Sequence, residues 1–223
     1  MSGHLGKAGI MGLPCIVCRT PGADAFFADG ERNYFRCGTC GARFLDPCSF
    51  PSADAERTQY DRHENDLADA GYRRFLSRVS EPLLDRLQAG CEGLDYGCGP
   101  GPALAAMLEE AGHSVALFDP FYAPDRTVLE RTYDFVTCTE VAEHFHDPAR
   151  EFARLDGLLK PGGWLAVMTC FHIDDARFAN WYYRLDPTHV VFYREETMRW
   201  LAHEHGWACT IPAKDITLMH KPA

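Results

Sequence analysis

A chain of 223 residues, 46% of them hydrophobic, is long enough to bury one principal core and still carry an appendage. Its 22 Lys and Arg stand against 32 Asp and Glu, a formal net charge of −10, which argues against affinity built on phosphate-backbone contacts; no apolar run reaches membrane-spanning length. The N-terminus lacks the charged-then-apolar layout of a signal peptide, so a cytoplasmic location without membrane attachment is expected.

Residues 1–13, small and glycine-rich, read as a flexible tail. Two C-x-x-C pairs follow, Cys15/Cys18 and Cys37/Cys40, separated by 18 residues. That spacing fits a structural zinc site with four thiolate ligands, and residues 14–50 are expected to form a zinc ribbon. Phe26, Phe27, Tyr34 and Phe35 between the pairs supply strands around a kernel too small to be stable unaided, so the metal is expected to contribute folding free energy. The other six cysteines, Cys48, Cys91, Cys98, Cys138, Cys170 and Cys209, suit small buried positions. The first fifty residues carry five Lys and Arg against four Asp and Glu, and the rest 17 against 28. Neither part is basic enough to mark a nucleic-acid-binding module. Folding support, substrate capture or dimer contact remain as roles for the ribbon.

Residues 51–90 read as a helical connector or lid: a polar, helix-prone stretch over 51–80, then a helix over 81–87. Tyr60 and His63, three apart, share one side of a helix. They are either a lining of a ligand entrance or part of a solvated face.

The main domain is expected over 91–223. An apolar strand ends in the run Asp95-Tyr96-Gly97-Cys98-Gly99-Pro100-Gly101, with Pro102 placed to start a helix over 103–111. Dinucleotide-binding turns use G-x-G-x-x-G and present a helix N-terminus to pyrophosphate. Here the pattern is D-x-G-x-G-x-G, and Asp95 would repel an anion but attract an ammonium. The turn therefore suits S-adenosylmethionine better than a dinucleotide. A second strand over 113–118 ends at Asp119-Pro120, where an acidic residue would bind both ribose hydroxyls, with Phe121 or Tyr122 available to cover an adenine.

A third strand over 133–138 leads into Thr139-Glu140-Val141-Ala142-Glu143-His144, followed by a helix with Phe152, Leu155, Leu158 and Leu159 on one face and a strand over 164–168. If the segment after the third strand is helical, Glu140, Glu143 and His144 share a face at the carboxyl edge of the sheet. His189, within an aromatic stretch that includes Trp181 and Tyr183, is a fourth polar candidate. A helix over 194–205 and strands over 207–211 and 215–220 complete the sheet with an antiparallel hairpin.

The glycine turn and the run YDFVTCTEVAEHFHDP…LLKPGGWLAVMT resemble the class I S-adenosylmethionine-dependent methyltransferases over residues 91–211. The resemblance implies a Rossmann-like α/β fold with a seven-stranded, mostly parallel sheet. It also implies S-adenosylmethionine held by Asp95, Gly97, Gly99, Gly101, Asp119, Pro120, Phe121 and Glu140. E-x-x-E-H with a later histidine is similar to metal-assisted O-methyltransferases, which implies a second divalent metal on Glu140, Glu143, His144 and His189. Metal-free relatives carry similar sequences, and in that reading His144 or His189 is the general base, beside Glu140. Trp181 and Tyr183 would wall the acceptor, or belong to the core. The expected activity is methyl transfer to a small molecule, preferably at oxygen. An RNA methyltransferase with the ribbon as reader, or a non-catalytic cofactor-binding protein, are the alternatives.

Overall fold

The computed structural model describes residues 12–30, 32–62, 67–172 and 174–223. Strands β1 (Asp24–Asp29), β2 (Arg32–Arg36) and β3 (Arg43–Leu45) form an antiparallel meander, followed by helices α1 (Ala53–Tyr60) and α2 (Ala70–Leu84). The larger unit then runs β4 (Glu92–Tyr96), α3 (Ala103–Glu110), β5 (Ser114–Phe118), β6 (Tyr133–Thr139), α4 (Pro148–Leu158) and β7 (Leu159–Met168). It closes with α5 (Tyr182–Leu185), β8 (Val191–Phe192), α6 (Glu195–Glu204), β9 (Ala208–Ala213) and β10 (Ile216–His220).

The main sheet has the order β5-β4-β6-β7-β10-β9, parallel from β5 to β7 and antiparallel at β10 and β9. The chain leaves β4 for β5 on one side and returns to β6 on the other, so the turn after β4 sits where the strand order reverses. Among the described residues this sheet has six strands rather than the seven expected. Only residues 119–132 separate β5 from β6, and a further parallel strand with its own crossover needs more chain than that.

Period-two alternation divides the core between the two faces of the sheet. Phe135, Ala166 and Met168 meet Leu76, Val79 and Leu83 of α2 and Leu104 and Leu108 of α3. Val136, Cys138, Leu165 and Val167 face the other way, toward α4 and α6. The second helix lies at 70–84 with Pro82 inside its last turn, not at 81–87. No described helix is long and apolar enough to cross a membrane.

The cysteine-bearing meander does not form a kernel of its own. β8 pairs with β3 to give the order β1-β2-β3-β8, so a segment of the larger unit completes the small sheet. Phe35 and Phe44, at most 1% exposed, pack into the same cluster as α4 and α6, while Tyr34 and Leu45 on the opposite face join Phe178, Tyr183 and Phe192. Each fully buried phenylalanine contributes about 1.5–3 kcal/mol, so packing against the larger unit holds this region. The expected tail lies mostly outside the described residues, but Leu13 is not loose: it bridges Ala23 and packs on the core.

Candidate active site

Tyr96 ends β4, and the chain reverses through Gly97 at φ 84° and Gly99 at φ 63°. A Cβ at position 97 would lie 2.3 Å from the Val141 side chain, so both the backbone conformation and the space call for glycine. The amides of Gly97 and Cys98 donate to the Phe118 carbonyl at 2.7 and 3.2 Å, tying the turn to the end of β5. Asp119 completes the tie. One carboxylate oxygen accepts from Gly99 N at 3.0 Å, and the other from Phe121 N and Tyr122 N at 2.8 and 3.1 Å. This bracing role of Asp119 has no signature in the sequence, because it joins loops twenty residues apart.

Asp95 is buried and accepts a hydrogen bond from Thr137 Oγ1 at 2.7 Å. Burial pushes its carboxyl up to about 6 against that bond. Asp95, Gly97, Gly99, Gly101, Asp119, Pro120, Phe121 and Glu140 all line one cavity of about 770 Å³ along the carboxyl edge of the sheet. The same cavity reaches Tyr60, Tyr182, Tyr183, Glu143, His144 and His189, so the glycine turn and the two histidines share one chamber.

After β6 the chain does not form the expected helix. Glu140 adopts a left-handed conformation, φ 53°, and a single 3-10 turn spans Ala142–His144. Ligand atoms of Glu143, His144 and His189 lie within 4.8 Å of one another, and Glu140 is not part of that group. The helical spacing that would have aligned all three residues of the motif is replaced by one tighter turn, which keeps Glu143 and His144 together. Burial, with the Glu143 and Asp215 carboxylates adding to it, raises Glu140 to about 9.

The three grouped side chains are oriented by what they touch. His144 Nδ1 donates to the Thr188 carbonyl at 3.0 Å and His189 Nδ1 to the Tyr183 carbonyl at 2.7 Å, so that in the neutral form of each ring the proton sits on Nδ1 and Nε2 carries the lone pair. Glu143 accepts from Thr169 Oγ1 at 2.8 Å through one oxygen, while its other oxygen is buried without a hydrogen-bond partner. Two imidazoles with free lone pairs beside an orphaned carboxylate oxygen suit a divalent cation. Burial draws the His189 imidazole below its usual value, which keeps it neutral. The Tyr60 ring stands edge-on to His144, centroids 5.1 Å apart.

Tyr183 lies in the cavity wall with its hydroxyl 3.1 Å from Thr169 Oγ1, but Trp181 does not line the cavity. It packs against Phe178 and Phe192 on the side of the small sheet, and Tyr182, 71% exposed, takes its place at the cavity mouth. His63 lies outside the described residues. Thr169, just past the end of β7, carries no signal in the sequence for its contact with Glu143, since an isolated threonine at a strand end is ordinary.

Away from this chamber, the Cys15, Cys18, Cys37 and Cys40 sulfurs lie within 4.8 Å of one another, with Cys15 to Cys40 at 3.6 Å and Cys18 to Cys37 at 3.4 Å. Tetrahedral zinc with Zn–S bonds of about 2.3 Å separates its sulfurs by about 3.7 Å. Val17 N and Thr39 N donate to Cys15 Sγ and Cys37 Sγ, so each pair forms a turn whose amides face a sulfur. Among the remaining cysteines Cys98, Cys138 and Cys170 are buried and Cys91 and Cys209 partly so. Cys48 is exposed, because it sits in a short 3-10 turn at the surface.

A glycine turn at the strand-order reversal, an acidic residue at the carboxyl end of each of β4 and β5, and polar side chains gathered across the same edge are the arrangement of an α/β fold built to bind a ligand at that edge. A family model described as a methyltransferase domain matches residues 60–210. The chain belongs to that methyltransferase family. Ubiquinone biosynthesis O-methyltransferases from Thiobacillus denitrificans and Leptothrix cholodnii are 33% and 32% identical over 105 and 104 residues, which cover 36% of this chain in each case and 45% and 44% of those proteins. The chain thus spans less than half the length of the curated relatives it matches.

Among solved structures, the 1,6-didemethyltoxoflavin-N1-methyltransferase of Burkholderia thailandensis, with its substrate and S-adenosylhomocysteine bound, aligns with TM-score 0.51 and 16% identity. The alignment covers 90% of this chain and all of that one. The S-adenosylhomocysteine-bound magnesium protoporphyrin IX methyltransferase of Synechocystis PCC 6803 aligns with TM-score 0.50 and 15% identity, over 75% of this chain and 93% of that one. At such identities the likeness establishes the fold.

Proposed function

We propose that this chain is an S-adenosylmethionine-dependent methyltransferase acting at oxygen on a small-molecule acceptor, with Glu143, His144 and His189 holding a divalent cation beside the transferred methyl group. The observation that carries the reading is the grouping of those three side chains in the same chamber as the glycine turn, with one Glu143 oxygen buried and unpartnered. The partial match to ubiquinone biosynthesis O-methyltransferases supports oxygen as the target, and the acidic charge balance supports a small molecule over nucleic acid.

In this reading Asp95 faces the cationic methionine end and Asp119 accepts from the ribose hydroxyls, while Pro120 and Phe121 border the adenine. Methyl transfer requires an oxygen nucleophile in line with the sulfonium, so the protein's contribution is positioning, exclusion of water and removal of one proton. When bound at the three-residue group, a divalent ion supplies Lewis acidity that lowers the pKa of a nearby hydroxyl. Tyr60 and Tyr183 confine the acceptor from two sides. His144 and His189, with Nε2 free, are the groups that hold the cation or, in its absence, accept the proton.

Asp95 makes cofactor binding pH-dependent. Its carboxyl titrates near 6, above its usual range, so lowering the pH through that value neutralises it and removes its attraction for the sulfonium and ammonium. Between pH 7 and pH 5 the dissociation constant for S-adenosylmethionine should rise about tenfold, as expected for one coupled proton. Calorimetry at several pH values checks this, and Asp95→Asn should flatten the profile. A flat profile in the unmodified protein would remove Asp95 from cofactor recognition.

The four cysteines are assigned to one structural zinc ion. Elemental analysis of purified protein should find about one zinc per chain, retained through mild chelation. Protein without zinc but with residues 14–50 still ordered would contradict the assignment. A soluble cytoplasmic enzyme is the proposed setting. The proposed organisation follows the sequence boundaries of ribbon (14–50), connector (51–90) and methyltransferase domain (91–223).

A further inference from the structure

We propose that the four-cysteine ribbon is a positioning element for the Glu143, His144 and His189 group, so that zinc on the thiolates raises that group's affinity for its divalent cation. This rests on the metal reading given above. It assigns the ribbon a role in the active site that neither the packing of its core nor the spacing of its cysteines implies.

The route is a short chain of backbone hydrogen bonds. β8 pairs with β3, in the register Arg43 with Phe192 and Phe44 with Val191, and takes no place in the six-stranded sheet. Just ahead of β8, Val190 is bound on both sides: its carbonyl accepts from Leu45 N of β3 at 2.8 Å, and its amide donates to the Glu143 carbonyl at 2.9 Å. One residue thus links the ribbon to the backbone of one proposed ligand, and its chain neighbour is another, His189. The cysteines reach this link directly, because Cys37 N donates to the Ala42 carbonyl at 2.9 Å and Arg43 then opens β3.

The other cysteine pair grips the start of α4, a few residues beyond the same turn. The Ile16 carbonyl, between Cys15 and Cys18, accepts from Ala149 N at 3.4 Å. Arg19 pairs with the Asp147 carboxylate, which also caps α4 by accepting from Arg150 N. Phe50, at the end of the ribbon, packs on His146 with ring centroids 4.6 Å apart. Residues 143–149 are therefore held by the ribbon at both ends, one through each half of the cysteine cluster.

The cofactor end is braced differently. The hydrogen bonds of Gly97, Cys98, Gly99 and Asp119 run among themselves and to Phe118, Phe121, Tyr122 and Ala123, all within the larger unit. Relaxing the ribbon should then disturb the three-ligand group while sparing the cofactor turn. Metal affinity is sensitive to such displacement, since ligand distances are fixed to within about 0.2 Å.

The test uses full-length protein in three forms: unmodified, Cys37→Ser and Cys18→Ser, one substitution in each half of the cluster. Zinc content is measured by elemental analysis, Mn²⁺ binding by electron paramagnetic resonance, and S-adenosylhomocysteine binding by calorimetry. The expected result is zinc loss in both variants, with Mn²⁺ affinity lowered about tenfold or more, the range seen when outer partners of metal ligands are removed, and S-adenosylhomocysteine affinity changed less than about threefold. Zinc-free variants that bind Mn²⁺ as tightly as the unmodified protein would overturn the coupling and leave the metal reading intact. Equal loss of Mn²⁺ and S-adenosylhomocysteine binding in both variants would also overturn it, because the ribbon would then support the whole fold. If the unmodified protein binds no Mn²⁺, the metal reading itself fails and the coupling with it.

Discussion

Replacing His189 with alanine should remove divalent-cation binding and lower methyl transfer by about 10²–10⁴-fold, the range associated with loss of a positioned proton-handling group, while cofactor affinity changes little. His189 is 9% exposed and is oriented by its Nδ1 hydrogen bond to the Tyr183 carbonyl, so the substitution deletes one ligand atom without unpairing a charged partner. Glu143→Gln should have a comparable effect on metal binding for a different reason. It keeps a side-chain oxygen for Thr169 but removes the anionic charge that offsets a dication. Glu140→Gln provides the contrast: its side chain stands outside the three-ligand group, and the substitution should leave Mn²⁺ affinity within about a few-fold of the unmodified value. Electron paramagnetic resonance with Mn²⁺ reads all three. Equal losses in Glu140→Gln and Glu143→Gln would place Glu140 back among the ligands.

Asp119→Ala should weaken cofactor binding by roughly 1.5–3 kcal/mol, about ten- to 150-fold, from the loss of hydrogen bonds to a charged acceptor. The structure adds a second contribution. The Asp119 carboxylate also accepts from Gly99, Phe121 and Tyr122, so alanine there leaves three loop amides without their partner and loosens both walls of the cofactor end together. Asp119→Asn retains one acceptor oxygen and should fall between the two. Unchanged S-adenosylhomocysteine affinity in Asp119→Ala, measured calorimetrically, would exclude it as the ribose ligand.

Much of this arrangement was legible in the sequence because local chemistry and tertiary position agree there. The D-x-G-x-G-x-G turn needs left-handed backbone at Gly97 and Gly99, and those glycines have it. The alternating apolar residues of β6 and β7 divide between the two faces of the sheet as their period requires. The acidic residue after β5 lies against the glycine turn because parallel neighbours in the sheet bring their carboxyl ends together. Other features depended on long-range context. The segment after β6 has residues compatible with a helix, yet left-handed Glu140 and a single 3-10 turn form there, with Val190 pairing to the Glu143 carbonyl. The missing seventh strand is a matter of chain length between β5 and β6, visible only once both strand ends are known. Trp181 and Tyr183 are equivalent aromatics in the sequence; both pack with the small sheet's cluster, and Tyr183 alone also lines the chamber. Sharing of β8 with the ribbon had no local signal, since a two-residue apolar pair suits either sheet.

The most direct measurement of the central claim is transfer of an isotopically labelled methyl group from S-adenosylmethionine to a panel of phenols, vicinal diols, sugars, carboxylic acids and short RNAs, followed by mass spectrometry with Mn²⁺ or with a chelator. The account predicts labelled methyl on an oxygen of a small molecule, with turnover suppressed by the chelator and restored by Mn²⁺. Transfer to RNA in preference to every small molecule, or small-molecule turnover that is indifferent to both the chelator and His189→Ala, would contradict it.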